Sequence, residues 1–299
     1  MGEKEENTMQ ARTAWSREVI LKPIIRVFPR RTSLTPDDEL SFVGDPPLFK
    51  PAKGEVHISC AFTWDKPEAE RLLKAWSQYY PAKIGGPAYG SPCETFMSGR
   101  YVKKGVTFTS RGCNNQCPWC LVPEREGKLR ELPVIAGNII NDNNILQCSA
   151  SHISKVFQML RTQRHIEFTG GLDCRETTSN LVEELRSLKI YHLFFACDTK
   201  AGLKELRRVG KLFSGADRRM LRCYVLLAFG SQTISQAIAH LEAVWEAGFM
   251  PHAQLFQPPD KWIEYSREWR QLSTRWIRPA IMQTMNGKDS AVEVRKEKR

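Results

Sequence analysis

"RGCNNQCPWC", residues 111–120, sets three of the chain's nine cysteines within eight positions. It directly follows "GVTFTS", residues 105–110, which reads as a strand. Core packing accounts for Cys60, Cys197 and Cys223, each inside an apolar run. It does not account for thiols set among asparagines. A structural zinc site wants four ligands, usually in two close pairs, and the chain has no second C-x-x-C. His152 or His165 would have to complete such a set from a separate helix or strand start. An odd number of cysteines in a 299-residue chain does not suggest a disulfide framework. A [4Fe-4S] cluster does fit the loop. Three thiolates leave one iron with a vacant coordination position, and such an iron chelates a small molecule.

Downstream of the loop, strands and helices alternate. "HISKVFQMLRTQ" (152–163) is a helix with Ile153, Val156, Phe157 and Leu160 on one face. "IEFTGG" is a strand, "SNLVEELRSL" a helix, "HLFFACD" a strand and "AGLKELRRVGKLF" a helix. "LRCYVLLAFG" is a strand, "TISQAIAHLEAVWEAG" a helix capped by Gly248, and "PHAQLFQ" a last strand. Five strands alternating with helices predict an α/β fold with a parallel sheet and right-handed crossovers, either open or curled into a partial barrel. In such folds ligands gather at the carboxyl edge of the sheet. There the sequence places Arg111 to Cys120, Gly170, Gly171, Leu172, Asp173, Asp198, Thr199, Gly230, Ser231, Gln232 and Gln257.

Upstream, residues 1–54 are proline-rich and weakly periodic, and an irregular extension is expected. Residues 55–98 read as a small βαβ-like unit: "VHISCAFTW", then "KPEAERLLKAWSQYY" with Ala69, Leu73 and Trp76 on one face, then "AKIGGPAYG". Residues 99–258 form the main array. In 259–299, Trp262, Tyr265, Trp269, Leu272 and Trp276 recur at helical spacing. That stripe predicts a docking helix; a stacking surface for nucleic acid is the minority alternative. A basic tail, "VEVRKEKR", ends the chain.

Composition is that of an ordinary globular protein, 41% hydrophobic and 26% charged, with no run of about 18 apolar residues to span a bilayer. The charged start lacks a secretory h-region, so the cytosol is the expected compartment. The net charge of +11 favours phosphate-rich partners.

C-x3-C-x2-C with an aromatic before its last cysteine, after the first strand of a parallel α/β array, resembles the signature of radical S-adenosylmethionine enzymes. The likeness spans roughly residues 99–258. It implies a parallel partial (β/α) barrel, with Cys113, Cys117 and Cys120 as cluster ligands and S-adenosylmethionine on the open iron. Trp119 would lie by the adenine. "FTGG" (168–171) resembles the family's glycine motif, in which backbone carbonyls receive the methionine ammonium. That gives a role to Gly170 and Gly171, although Leu172 and Asp173 replace the usual acid directly after the glycines. Asp198 is a candidate for the ribose hydroxyls or, equally, the cap of the next helix. "LLAFGSQT" is loosely similar to the family's adenine-packing loop.

The whole stretch "TSRGCNNQCPWCLVPEREGKLRELP" is similar to small radical S-adenosylmethionine proteins of bacteria and phages. The implied reaction takes an electron from a flavodoxin- or ferredoxin-like donor and cleaves S-adenosylmethionine, and the resulting 5′-deoxyadenosyl radical abstracts hydrogen from a substrate. A nucleotide or nucleic acid is favoured as that substrate. No cobalamin is expected, because residues 55–98 are short for a corrinoid domain and carry no D-x-H-x-x-G. Cys93, Cys148 and Cys174 are scattered singly, so no auxiliary cluster is indicated; Cys174 is a core residue or faces the pocket. The charged run 123–133 is a lid, an anion path or a solvated loop. A non-enzymatic iron–sulfur or zinc protein that binds nucleic acid or senses redox state is the alternative function.

Overall fold

The computed structural model describes residues 23–90 and 97–284. Cys93 and the basic tail lie outside them. The first unit is a sheet of four parallel strands, β1 (Ile24–Phe28), β2 (Ser41–Val43), β3 (Glu55–Ser59) and β4 (Ala82–Gly85), with helix α1 (Lys66–Ser77) between β3 and β4. Their order is β2-β1-β3-β4. β3, α1 and β4 fall within the expected βαβ-like unit. β1 and β2 come from the stretch where an irregular extension is expected. The reason is physical: β1 is almost wholly buried and so lacks alternation, and Pro23 and Pro29 bracket it. Ile25, Val27, Val56 and Ile58 pack against Ala69, Leu72 and Trp76. Leu72, rather than the expected Leu73, completes the buried face of α1.

The second unit is built on six strands. They are β5 (Val106–Thr107), β8 (Ile139–Ile140), β9 (Ile166–Leu172), β10 (Ile190–Ala196), β11 (Leu221–Leu227) and β12 (Met250–Leu255). All adjacent pairs are parallel, and the spatial order β5-β8-β9-β10-β11-β12 follows the chain. Helices α3 (Ala150–Leu160), α4 (Ser179–Arg186), α5 (Leu203–Leu212) and α6 (Ile234–Glu246) supply the crossovers from β8 onward. Right-handed crossovers that always advance in one direction place these helices on one face. β11 shows the result: Leu221, Cys223, Val225 and Leu227 are buried, whereas Arg222, Tyr224 and Leu226 are half-buried on the other face. That second face also carries Glu167, His192, Phe194 and His252, with His192 Nδ1 3.4 Å from Glu167 Oε2.

Two features differ from the expected array. The predicted strand 105–110 is only two residues long as a sheet member. Its end turns into a separate hairpin, β6 (Ser110–Arg111) with β7 (Arg130–Glu131), enclosing the short helix α2 (Val122–Glu126). β8 is an additional strand that no periodicity announces, since two residues carry no period. The aromatic stripe also divides. Helix α7 (Arg267–Arg275) docks Leu272 and then Trp276 into the core, but Trp262 and Tyr265 precede the helix, and Trp262 is 56% exposed. Among the described residues no helix is long and apolar enough to cross a membrane.

Helix α5 meets the end of α6 at Gly210, where a Cβ would lie 2.0 Å from the Ala247 carbonyl oxygen. By helix propensity alone, Gly210→Ala gains about 1 kcal/mol. Because the obstruction is backbone, we expect the variant to lower the denaturation midpoint; a raised midpoint by chemical unfolding refutes this packing.

Candidate functional site

The cysteine loop is closed at its base by the β6–β7 ladder. Gly112, at φ +79°, makes the closure possible: a Cβ there would stand 2.3 Å from the Lys128 carbonyl oxygen. Gly112 N donates to Asn143 Oδ1 at 3.1 Å, and Cys113 N donates to the Gly127 carbonyl at 3.2 Å. The charged run 123–133 is therefore the return limb of this hairpin, with Arg111 3.5 Å from Glu126 and Arg130 donating to the Glu126 carbonyl at 2.6 Å.

The segment after β8, "NDNNILQ" (141–147), forms the floor. Asp142 is buried and accepts from Thr109 N at 2.6 Å, Thr109 Oγ1 at 2.5 Å and Ser110 Oγ at 2.9 Å. Burial raises its carboxyl, and these donors offset part of that. Gln147 accepts from Asn114 N at 2.9 Å and donates to Asn115 Oδ1 at 3.0 Å. Asn144 Nδ2 points at Cys113 Sγ (3.9 Å) and Asp173 Oδ2 (3.4 Å), and Asn115 N approaches the same sulfur at 3.4 Å. Sequence reading missed Asp142, Asn144 and Gln147. The available signal was a run of asparagine and aspartate just past an Ile-Ile pair.

Asp173 ties the loop to the end of β9. It accepts from Asn115 Nδ2 at 3.0 Å and from both arms of the Arg175 guanidinium, at 2.9 and 2.6 Å. Burial alone would raise its carboxyl, but Arg175 and Asn115 together hold it below the ordinary value. Gly170 is required by the chain itself, since a Cβ there would lie 1.6 Å from the Asp142 carbonyl oxygen. Gly171 sits at φ +91°, a left-handed conformation that disfavours any side chain. A void of about 10 Å³, lined by Ile140, Asp142, Phe168, Gly170 and Leu172 among others, has room for one water.

Asp198 receives the Leu226 amide at 2.9 Å. Burial raises its carboxyl, and Leu226 and the Trp119 side chain, both hydrogen-bonded to it, lower it in part. Thr199, not Asp198, caps the turn that follows. Trp119 therefore bridges the cysteine loop to β10. Its ring also meets Phe229 at 5.6 Å, and Phe229 meets Phe256 at 5.0 Å. Gln232 accepts from Ala228 N at 2.7 Å and shapes that turn. Gln257, expected at the mouth, instead pairs with the Ile263 backbone in both directions, at 2.8 and 3.0 Å.

Burial is the main reason that the Cys117 and Cys120 thiols are raised; nearby thiols and Asp198 add to it. Among the described residues no three His, Cys, Asp or Glu side chains are gathered to hold a single metal ion. Two buried acceptors beside the loop, Asn144 Oδ1 and Glu126 Oε2, have no partner among the described residues. Cys174, Cys197 and Cys223 lie near one another, but they are core thiols. Burial pushes Cys174 and Cys197 up to about 12, and Cys223 is fully enclosed.

No family model matches the sequence, and no curated protein matches it either. A solved structure does. The radical S-adenosylmethionine methyltransferase TsrM from Kitasatospora setae, with cobalamin and a [4Fe-4S] cluster bound, shares the fold with a TM-score of 0.50 at 11% identity. The match covers 78% of this chain and 75% of that one. That share exceeds the span 99–258, so the likeness extends beyond the large sheet.

Because its folded-state carboxyl is depressed, Asp173 stabilises the loop fully above its unfolded value, near 3.8, and loses that contribution as pH falls through the lower folded value. We expect Asp173→Asn to cost about 1–3 kcal/mol at neutral pH and to remove the acid-side component from a pH series of unfolding midpoints. An unchanged series shows that Asp173 does not hold the loop.

Proposed function

We propose that this chain is a radical S-adenosylmethionine enzyme whose large sheet is the wall of a partial (β/α) barrel. The observation that carries this reading is the placement of Cys113, Cys117 and Cys120 on one loop at the carboxyl edge of that sheet, where Trp119 reaches Asp198. In this reading the three thiolates hold a [4Fe-4S] cluster. The amide donors around Cys113 suit a sulfur that carries negative charge. When bound, the cluster supplies one electron to S-adenosylmethionine, whose C5′–S bond breaks to give methionine and a 5′-deoxyadenosyl radical that takes a hydrogen atom from the substrate.

The chain's own residues bind and orient. The unpartnered Asn144 Oδ1, beside Cys113, accepts from the methionine ammonium, together with backbone carbonyls at Gly170 and Gly171. Asp173 keeps the loop seated against β9. Trp119, braced by Phe229, packs on the adenine and excludes water from that side. The buried Asp198 carboxylate accepts from Leu226 N and the Trp119 side chain, and its remaining lone pairs receive the ribose hydroxyls. The electron comes from a flavodoxin- or ferredoxin-like partner. A nucleotide or nucleic acid is the proposed substrate, in keeping with the charge of +11.

TsrM holds cobalamin, but we leave a corrinoid out of the cofactor set. The chain has no D-x-H-x-x-G.

Anaerobic reconstitution tests the proposal. The chain should take up about four irons and, with dithionite and S-adenosylmethionine, release 5′-deoxyadenosine. Cys117→Ala should abolish both. Uptake of one colourless zinc, or iron binding without cleavage, rejects the enzyme reading.

A further inference from the structure

The small sheet has its own ligand position. Its order β2-β1-β3-β4, with all strands parallel, reverses direction between β1 and β3, and in open α/β sheets ligands lie beyond the carboxyl ends at such a reversal. There the chain places Arg30, after β1, and Phe62 and Trp64, after β3. Phe62 and Trp64 are stacked at 4.9 Å, and the Arg30 guanidinium lies 5.9 Å from the Phe62 ring while pairing with Asp65. The Trp64 Nε1 donor is buried and has no partner among the described residues.

A third ring arrives from the large sheet. Trp262, beyond the end of β12, meets Trp64 at 5.6 Å and leaves more than half of its surface exposed. Its segment is fixed, because Gln257 brackets Ile263 and the Tyr265 hydroxyl donates to the Phe256 carbonyl at 2.5 Å. Phe256 also ends the ring series that begins at Trp119. The loop 256–263 therefore joins the mouths of the two sheets, with the cysteine loop at one end and the tryptophan pair at the other.

We propose that the exposed face of Trp262 stacks an unpaired nucleobase of the substrate, with Trp64 inclined at 59° beside it. Trp64 Nε1 donates to an acceptor on the edge of that base, and the exposed Arg31 attracts its phosphate. A plain apolar patch would not keep an unpaired indole donor within a ring stack beside cations. The proposal deepens the nucleotide reading of the substrate given above, but the platform itself does not depend on the cluster chemistry.

The test is fluorescence anisotropy of an end-labelled single-stranded 12-mer of mixed sequence, with the matching duplex and AMP as competitors. Trp262→Ala should weaken strand binding by at least about fivefold. Trp64→Phe, which keeps the ring and removes the donor, should weaken it and change the preference among bases. A free nucleotide as the source would appear as AMP competing as well as the unlabelled strand, and a strand as the source as the 12-mer winning; both support the platform. Equal affinity for the duplex, wild-type affinity in Trp262→Ala, or binding of neither probe overturns it. Absence of 5′-deoxyadenosine release from the wild type, with strand binding intact, sinks the enzyme reading and leaves the platform standing.

Discussion

One buried carboxylate organises the carboxyl edge of the large sheet. The Asp142 side chain gathers the Thr109 amide and the hydroxyls of Thr109 and Ser110, and so fixes where β5 ends and the cysteine hairpin begins. Its backbone carbonyl presses against Gly170, so the same residue sets the end of β9. Enclosing a carboxylate is unfavourable unless donors surround it, and here the donors come from the segment that must be held still. The position of the thiols relative to the glycine strand follows from that one enclosure. Asn143, Asn144 and Gln147 extend the same floor to Gly112, Cys113 and Asn114.

This explains which parts of the molecule could be read from the sequence. The spacing of Cys113, Cys117 and Cys120 is local, and the helices and longer strands announce themselves by periodicity. β8 does not, because Ile139 and Ile140 give no repeat, and without β8 the "NDNN" run that follows looks like an ordinary loop. Its partners lie about thirty positions away in sequence, a separation that no pattern along the chain reports. β1 was hidden for a related reason. A strand enclosed on both faces shows no alternation, and flanking prolines make it look like linker. The Trp262 to Trp276 stripe misled in the opposite direction: the spacing is helical, but the helix starts only at Arg267, and the first two members serve elsewhere.

Two populations of thiol result. Those of the hairpin are exposed or half-buried at a ligand edge. Cys174, Cys197 and Cys223 lie among apolar side chains, where the thiolate is disfavoured by burial. Sequence spacing separated them only in part, since Cys174 sits three residues from Gly171 and yet turns into the core.

The large sheet's strands stand side by side in the order in which they are synthesised. A ribosome releasing this chain therefore delivers each new strand next to one already formed, and from β8 onward every crossover helix can settle before the next strand appears. Each pairing after the first joins residues 23–28 positions apart, so the chain ordered at each step is nearly constant. The first, β5 with β8, joins residues 33 apart because it encloses the cysteine hairpin. The first edge of the sheet is thus laid down around the segment that bears the thiols.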